Sequence, residues 1–119
     1  MSQRTEKVAG ELREILGEIV VRGAIKDPRV RDAGLITITH VRISGDLRLA
    51  RVSFTVHGAD DDDLEKVRVG LQSAAGFMRR QIGERLRLKS TPGLDFEPDR
   101  MLDQEDRIEQ LLREVAKKE

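Results

Sequence analysis

Two neighbouring stretches of the chain, residues 35–43 and 47–57, carry apolar and β-branched side chains at close to every second position, with Ser44-Gly45-Asp46 between them. This pattern limits the fold more than any other feature. An alternating run buries one face and leaves the other wet, and a short polar turn between two such runs closes them into an antiparallel hairpin. A hairpin with one apolar face is marginal in water, so other elements must cover it. A register that sets Ile43 against Leu47, Val41 against Leu49, Ile38 against Val52 and Ile36 against Phe54 places apolar opposite apolar throughout. It leaves Thr37, Thr39, Arg51, Ser53 and Thr55 on the opposite, polar face. The apolar phase flips near His40 and Ala50, which predicts a bulge or strong twist there.

The covering elements are helical by their spacing. Val8, Leu12, Ile15, Leu16 and Ile19 recur on one face, which predicts a first helix over residues 5–22, capped by Ser2 or Thr5 and ended at Gly23. Pro28 disfavours α geometry at Asp27, so residues 25–30 read as a break. After Asp60-Asp61-Asp62-Asp63, whose charges suit a helix N-terminus, one stripe runs through Leu64, Val67, Leu71, Ala74, Met78, Ile82 and Leu86. Ala75-Gly76 interrupts it, which predicts two helices, 62–75 and 76–87, joined by a bend. A third strand is expected within residues 88–97, with Leu94 and Phe96 inward, and a last helix over about 103–117, with Ile108, Leu111, Leu112 and Val115 inward. Strands grouped among helices give an α+β class. The order helix, strand, strand, helix, bend, helix, strand, plus an added helix, is that of a type II KH fold. No repeat, linker or second domain interrupts residues 1–119.

A chain of 119 residues buries a normal core without a metal or disulfide staple. It has no cysteine, which excludes disulfides, zinc-thiolate sites and thiol nucleophiles. No apolar run near the N-terminus is long enough for a signal peptide or membrane span, so a cytoplasmic, membrane-free protein is expected. The acidic run lacks the spacing and turn glycine of a calcium loop and reads as a capped helix start. His40 and His57 do not pair in the register above. Ser44 and Ser53 have no histidine and carboxylate set around them, and no phosphate-binding loop is present. The chain therefore reads as a non-enzyme with no metal, no cofactor and no small-molecule substrate.

The charges balance, 22 basic against 22 acidic, but they are not evenly spread. Residues 77–94 hold Arg79, Arg80, Arg85, Arg87 and Lys89 against the single acid Glu84, while residues 60–76 and 95–119 are net acidic. A local positive field on a neutral protein suits a phosphate backbone. Arg79 is the leading phosphate contact in this reading, because Glu84 sits where it would occupy Arg80. Arg87 and Lys89 carry the charge on into the third strand. The bend adds free backbone N–H donors. Lys26, Arg29, Arg31, Arg48 and Arg51 extend the patch if folding brings them alongside. The only aromatics are Phe54, Phe77 and Phe96, the first and last reading as core, so no platform for stacking bases is expected. Contact with RNA would then rest on backbone and shape.

Several stretches together resemble the ribosome-binding factor A family. They are Ile25-Lys26-Asp27-Pro28-Arg29-Val30, Ser44-Gly45-Asp46-Leu47-Arg48-Leu49-Ala50-Arg51-Val52, Ala74-Ala75-Gly76-Phe77-Met78-Arg79, Pro92-Gly93-Leu94-Asp95-Phe96, and Arg107-Ile108-Glu109-Gln110-Leu111-Leu112. The resemblance implies a KH-like domain in which Ala74-Ala75-Gly76 takes the place of the G-x-x-G loop between two helices. It also implies a non-catalytic, monomeric factor that binds the free small (30S) ribosomal subunit and its 16S rRNA. Such factors assist late maturation and 5′-end processing and are associated with growth in the cold. The other class consistent with the residues is a KH-like protein-interaction or dimerisation module that uses the polar strand face and does not bind ribosomes.

Overall fold

The hairpin lies at the centre of the computed structural model, which describes residues 3–100. Strand β1, Ile36–Ile43, pairs antiparallel with β2, Leu49–Val56. The register differs from the predicted one: Ile43 faces Ala50, Val41 faces Val52, Ile38 faces Phe54 and Ile36 faces Val56. The turn is the cause, since it occupies residues 44–48. The Ser44 hydroxyl donates to the Asp46 carboxylate at 2.6 Å and accepts the Leu49 N–H at 3.1 Å, while Asp46 also accepts the Arg48 N–H at 3.1 Å. Leu47 adopts the left-handed conformation, φ 60°, and so belongs to the turn rather than to a strand. Leu49 points outward, 40% exposed. The predicted phase flip near His40 is present: the pairing shifts between Ile38 and His40 and leaves Thr39 as a bulge. No flip occurs at Ala50, because β2 buries Ala50, Val52, Phe54 and Val56 in unbroken alternation.

Strand β3, Gly93–Pro98, lies on the other side of β2 and runs parallel to it, giving the order β1-β2-β3. Helix α1, Gln3–Val21, buries the predicted stripe of Val8, Leu12, Ile15, Leu16 and Ile19. Thr5 is buried inside the first turn, because the helix begins earlier than expected; Ser2 lies outside the described residues. Gly23, at φ 73°, ends the helix. Its N–H and that of Ala24 reach back to the carbonyls of Val20 and Ile19, satisfying groups the last turn would leave open.

The segment read as a plain break contains a one-turn helix, α2, Pro28–Arg31. Asp27 caps it and Pro28 opens it, an Asp-Pro start signal that the break reading passed over. Helices α3, Asp61–Ser73, and α4, Ala75–Arg85, follow; the Asp60 carboxylate caps α3 by accepting the Asp63 N–H at 2.8 Å.

The described elements therefore run α1-α2-β1-β2-α3-α4-β3, the predicted KH-like α+β order with one short helix added. The long helices lie on the face where Val52, Phe54, Leu94 and Phe96 are buried, and each such side chain contributes about 1.5–3 kcal/mol by leaving water. The other face, with Arg42, Arg51 and Asp95 in a row across three strands, is exposed. The helix expected at 103–117 lies outside the described residues.

Candidate nucleic-acid interface

The break between α3 and α4 is a single residue. Ala74 sits at φ −88°, ψ 1°, with its N–H shared between the carbonyls of Gly70 and Leu71, and its own carbonyl accepts the Met78 N–H at 3.0 Å. The bend thus falls at Ala74 rather than at Ala75-Gly76. Gly76 is exposed, and a Cβ there would meet no heavy atom within 4 Å. No side chain caps α4, which leaves its first N–H groups without a side-chain acceptor at the positive end of the helix dipole.

Two polar side chains, one on either side of the break, tie the helix pair to β3 and the residues just before it. The Gln72 side-chain amide donates to the Leu94 carbonyl at 2.8 Å and accepts the Phe96 N–H at 3.1 Å. These are the bonds that a residue of a fourth parallel strand would make, so one side chain satisfies part of an open sheet edge. On the other side, Arg79 donates from Nε to the Pro92 carbonyl at 3.2 Å and from Nη2 to the Thr91 carbonyl at 2.9 Å. Gln72 carries no sequence signal, since an isolated Gln on a helix reads as surface.

The predicted cations divide by what holds them. Arg79 is engaged with backbone. Arg85 forks onto Glu18 of α1 at 2.8 and 3.1 Å, and that hydrogen bond, then the charge of Arg85, keeps the Glu18 carboxyl below its ordinary range. Arg29 forks onto Asp27 at 3.0 and 2.7 Å and reaches Ser73, next to the break, at 3.2 Å. The Arg29 hydrogen bonds lower the Asp27 pKa to about 2. Arg31 forks onto its neighbour Asp32 at 3.0 and 3.2 Å.

Arg80 does not pair with Glu84, and among the described residues it is exposed with no hydrogen bond or ion pair, as are Lys26, Arg87 and Lys89. Arg87 and Lys89 are not in a strand, since α4 ends at Arg85 and β3 begins at Gly93; they sit in the connecting loop. Arg48, its side chain 85% exposed, joins this end of the molecule through the bond from the Gly93 N–H to its carbonyl at 2.8 Å. Arg51 lies on the open sheet face, away from the helices.

Among the described residues no group of three or more His, Asp or Glu is placed to hold a metal, and no helix is long and apolar enough to cross a membrane. His40 faces Ser53, and His57 lies beyond the end of β2. Phe54 and Phe96 are buried and Phe77 is half-buried, so these rings form no open stacking surface.

A sequence profile described as ribosome-binding factor A matches residues 4–112. The ribosome-binding factor A of Geobacter sulfurreducens is 44% identical over 115 residues, covering 97% of this chain and 93% of the relative. Among solved structures, a Thermotoga maritima protein presented as a candidate ribosome binding factor A aligns with a TM-score of 0.68 at 27% identity, over 82% of this chain and 88% of that one. A Thermus thermophilus ribosome binding factor A homology model, fitted into the cryo-EM map of a 30S complex, aligns with a TM-score of 0.60 at 26% identity, over 77% of this chain and 91% of that one.

Proposed function

Because the chain belongs to the ribosome-binding factor A family, we propose that it binds the free small ribosomal subunit in the cytoplasm as a monomer and assists late maturation of 16S rRNA, including processing of its 5′ end, without catalysing a reaction itself. The carrying observation is the match to that family over nearly the whole chain.

The contact is made through phosphates by the cations that nothing else in the fold holds. These are Arg80 on α4, Arg87 and Lys89 in the loop after it, and Lys26 before α2; Arg48 at the adjoining turn joins them, its side chain 85% exposed and in only a long ion pair, 3.9 Å, with Asp46. Arg29 and Arg85 add field rather than direct contact, since their forks are occupied. Arg51 and Arg31 have no observed link to this surface. Half-buried and buried phenylalanines leave backbone and shape as what is read.

The test has two parts. The protein should sediment with free small subunits and far less with complete ribosomes, and cells lacking it should accumulate 16S rRNA with an unprocessed 5′ end. Equal recovery in all ribosomal fractions, or none in any, would sink the reading. Affinity for the small subunit should also fall steeply with salt, and Arg87→Ala should reduce the log–log slope by about 0.7 to 0.9, one phosphate contact. An unchanged slope in a folded variant removes Arg87 from the surface.

A further inference from the structure

We propose that Arg79 is a positioning residue: its guanidinium holds the course of the loop at residues 86–92 and thereby sets where Arg87 and Lys89 stand. The proposal deepens the reading above and rests on it for the consequence in binding, but not for the loop itself.

The loop is built to present two cations. Leu86 and Leu88 are half-buried against the core, while Arg87 and Lys89, alternating with them, are exposed. Its start is fixed by the Leu86 N–H bonded to the Ile82 carbonyl at 2.8 Å. Its end is fixed by Pro92, fully buried, and by the Gly93 N–H on the Arg48 carbonyl at 2.8 Å.

Between these anchors, the backbone bonds found on the loop come from one side chain. Arg79 spans the gap from α4 and takes two successive carbonyls, Thr91 and Pro92, with Nη2 and Nε. Thr91 also lies close to α4 itself, its hydroxyl oxygen 3.3 Å from where a Cβ on Gly83 would stand. Two donors in a rigid plane, aimed at two adjacent carbonyls, fix an orientation that a single ammonium on a flexible stem cannot reproduce. A carbonyl does not cancel the positive charge, so the charge of Arg79 and its fork can be separated by substitution. Arg79→Lys keeps the charge and loses the fork, whereas Arg79→Met loses both.

The first measurement is amide hydrogen exchange on the free protein. In both variants, exchange of the Gly93 amide, the one at this end of the loop that is bonded, should rise about tenfold while the amides of α1 and β2 stay protected. The second is small-subunit binding. Affinity should fall about three- to tenfold in both variants, by the fraction of time the loop is out of place. In an Arg87→Ala/Lys89→Ala background the Arg79→Lys change should have no further effect, because Arg79 acts through those two residues.

Unchanged exchange at Gly93 overturns the proposal. So does wild-type binding by Arg79→Lys alongside weak binding by Arg79→Met, since charge alone would then suffice, and so does full additivity in the triple variant. Raised exchange with wild-type binding in both variants upholds the positioning role and instead overturns the reading that this loop meets the small subunit.

Discussion

The α3–α4 pair has two sides, and they are made differently. Toward α2 and β3 the surface is closed: Gly70 is buried under α2, and Gln72 and Arg79 are bonded to the backbone between Thr91 and Phe96. Toward solvent, Gly76 meets nothing and Arg80 has no partner among the described residues. The two glycines, six positions apart, show the contrast most plainly. A Cβ at Gly70 would lie 2.9 Å from Val30 Cγ2 and 3.0 Å from Arg29 Cβ, so only a hydrogen lets α2 pack there. Gly76 belongs to the recognisable Ala-x-Gly segment and yet constrains no packing. The lesson is that the segment conspicuous in sequence is the open, accessible side, while the inconspicuous one holds the shape.

The sharpest way to break this contrast is at Gly70. Gly70→Val should push α2 away from α3 and destabilise the fold by about 3 kcal/mol, at the upper end of overpacking costs. A thermal melt would show it, and a midpoint equal to wild type would mean that α2 shifts freely and the contact is not closed.

Gln72 comes next. Gln72→Leu has similar bulk but leaves the Leu94 carbonyl and the Phe96 N–H without their side-chain partner, part-buried at the sheet edge. The expected loss is about 1–2 kcal/mol by denaturant unfolding. A neutral result would show that water replaces the amide at no cost and that this edge is open after all.

How much of this was legible in the sequence depends on how local the cause is. Helix stripes, the acidic start of α3 and the inward Leu94 and Phe96 follow from spacing and appear as expected. The hairpin register did not, because it depends on Ser44 and Asp46 bonding a longer turn and on Leu47 taking a left-handed conformation. Apolar pairing alone could not separate Leu47 in a strand from Leu47 in a turn. The basic segment was visible as charge, but which of its members are free depends on partners far away in sequence: Glu18 for Arg85, and Thr91 and Pro92 for Arg79. Gly70 and Gln72 were invisible for the same reason, since what makes each matter lies on another element.

On the open side the sign of the effect should reverse. The sequence places the bend at Ala75-Gly76; the structure shows empty space around Gly76 and helical geometry there, within α4. Gly76→Ala should therefore stabilise by about 0.5–1 kcal/mol, through helix propensity and a less flexible unfolded chain. Destabilisation would show that the bend needs a glycine for a reason other than space.

The smallest effect tests whether the closed side is held partly by charge. Asp27 accepts the Arg29 backbone N–H and both arms of its guanidinium, and Arg29 in turn reaches Ser73 on α3. The Arg29 hydrogen bonds bring the Asp27 pKa from an ordinary 3.8 to about 2. A carboxyl whose folded value is depressed contributes stability above its unfolded value and loses it as pH falls through the folded one. Asp27→Asn keeps a side chain able to cap α2 and removes the charge. Above about pH 5 the variant should melt below wild type by a constant, small margin, since an exposed pair is screened by water and salt. Between about pH 4 and pH 2 the margin should shrink as the wild-type carboxylate takes up its proton. A gap that keeps its full size down to pH 2 would mean that Asp27 holds α2 as a cap alone, and that the Arg29 fork adds nothing to the clamp over Gly70.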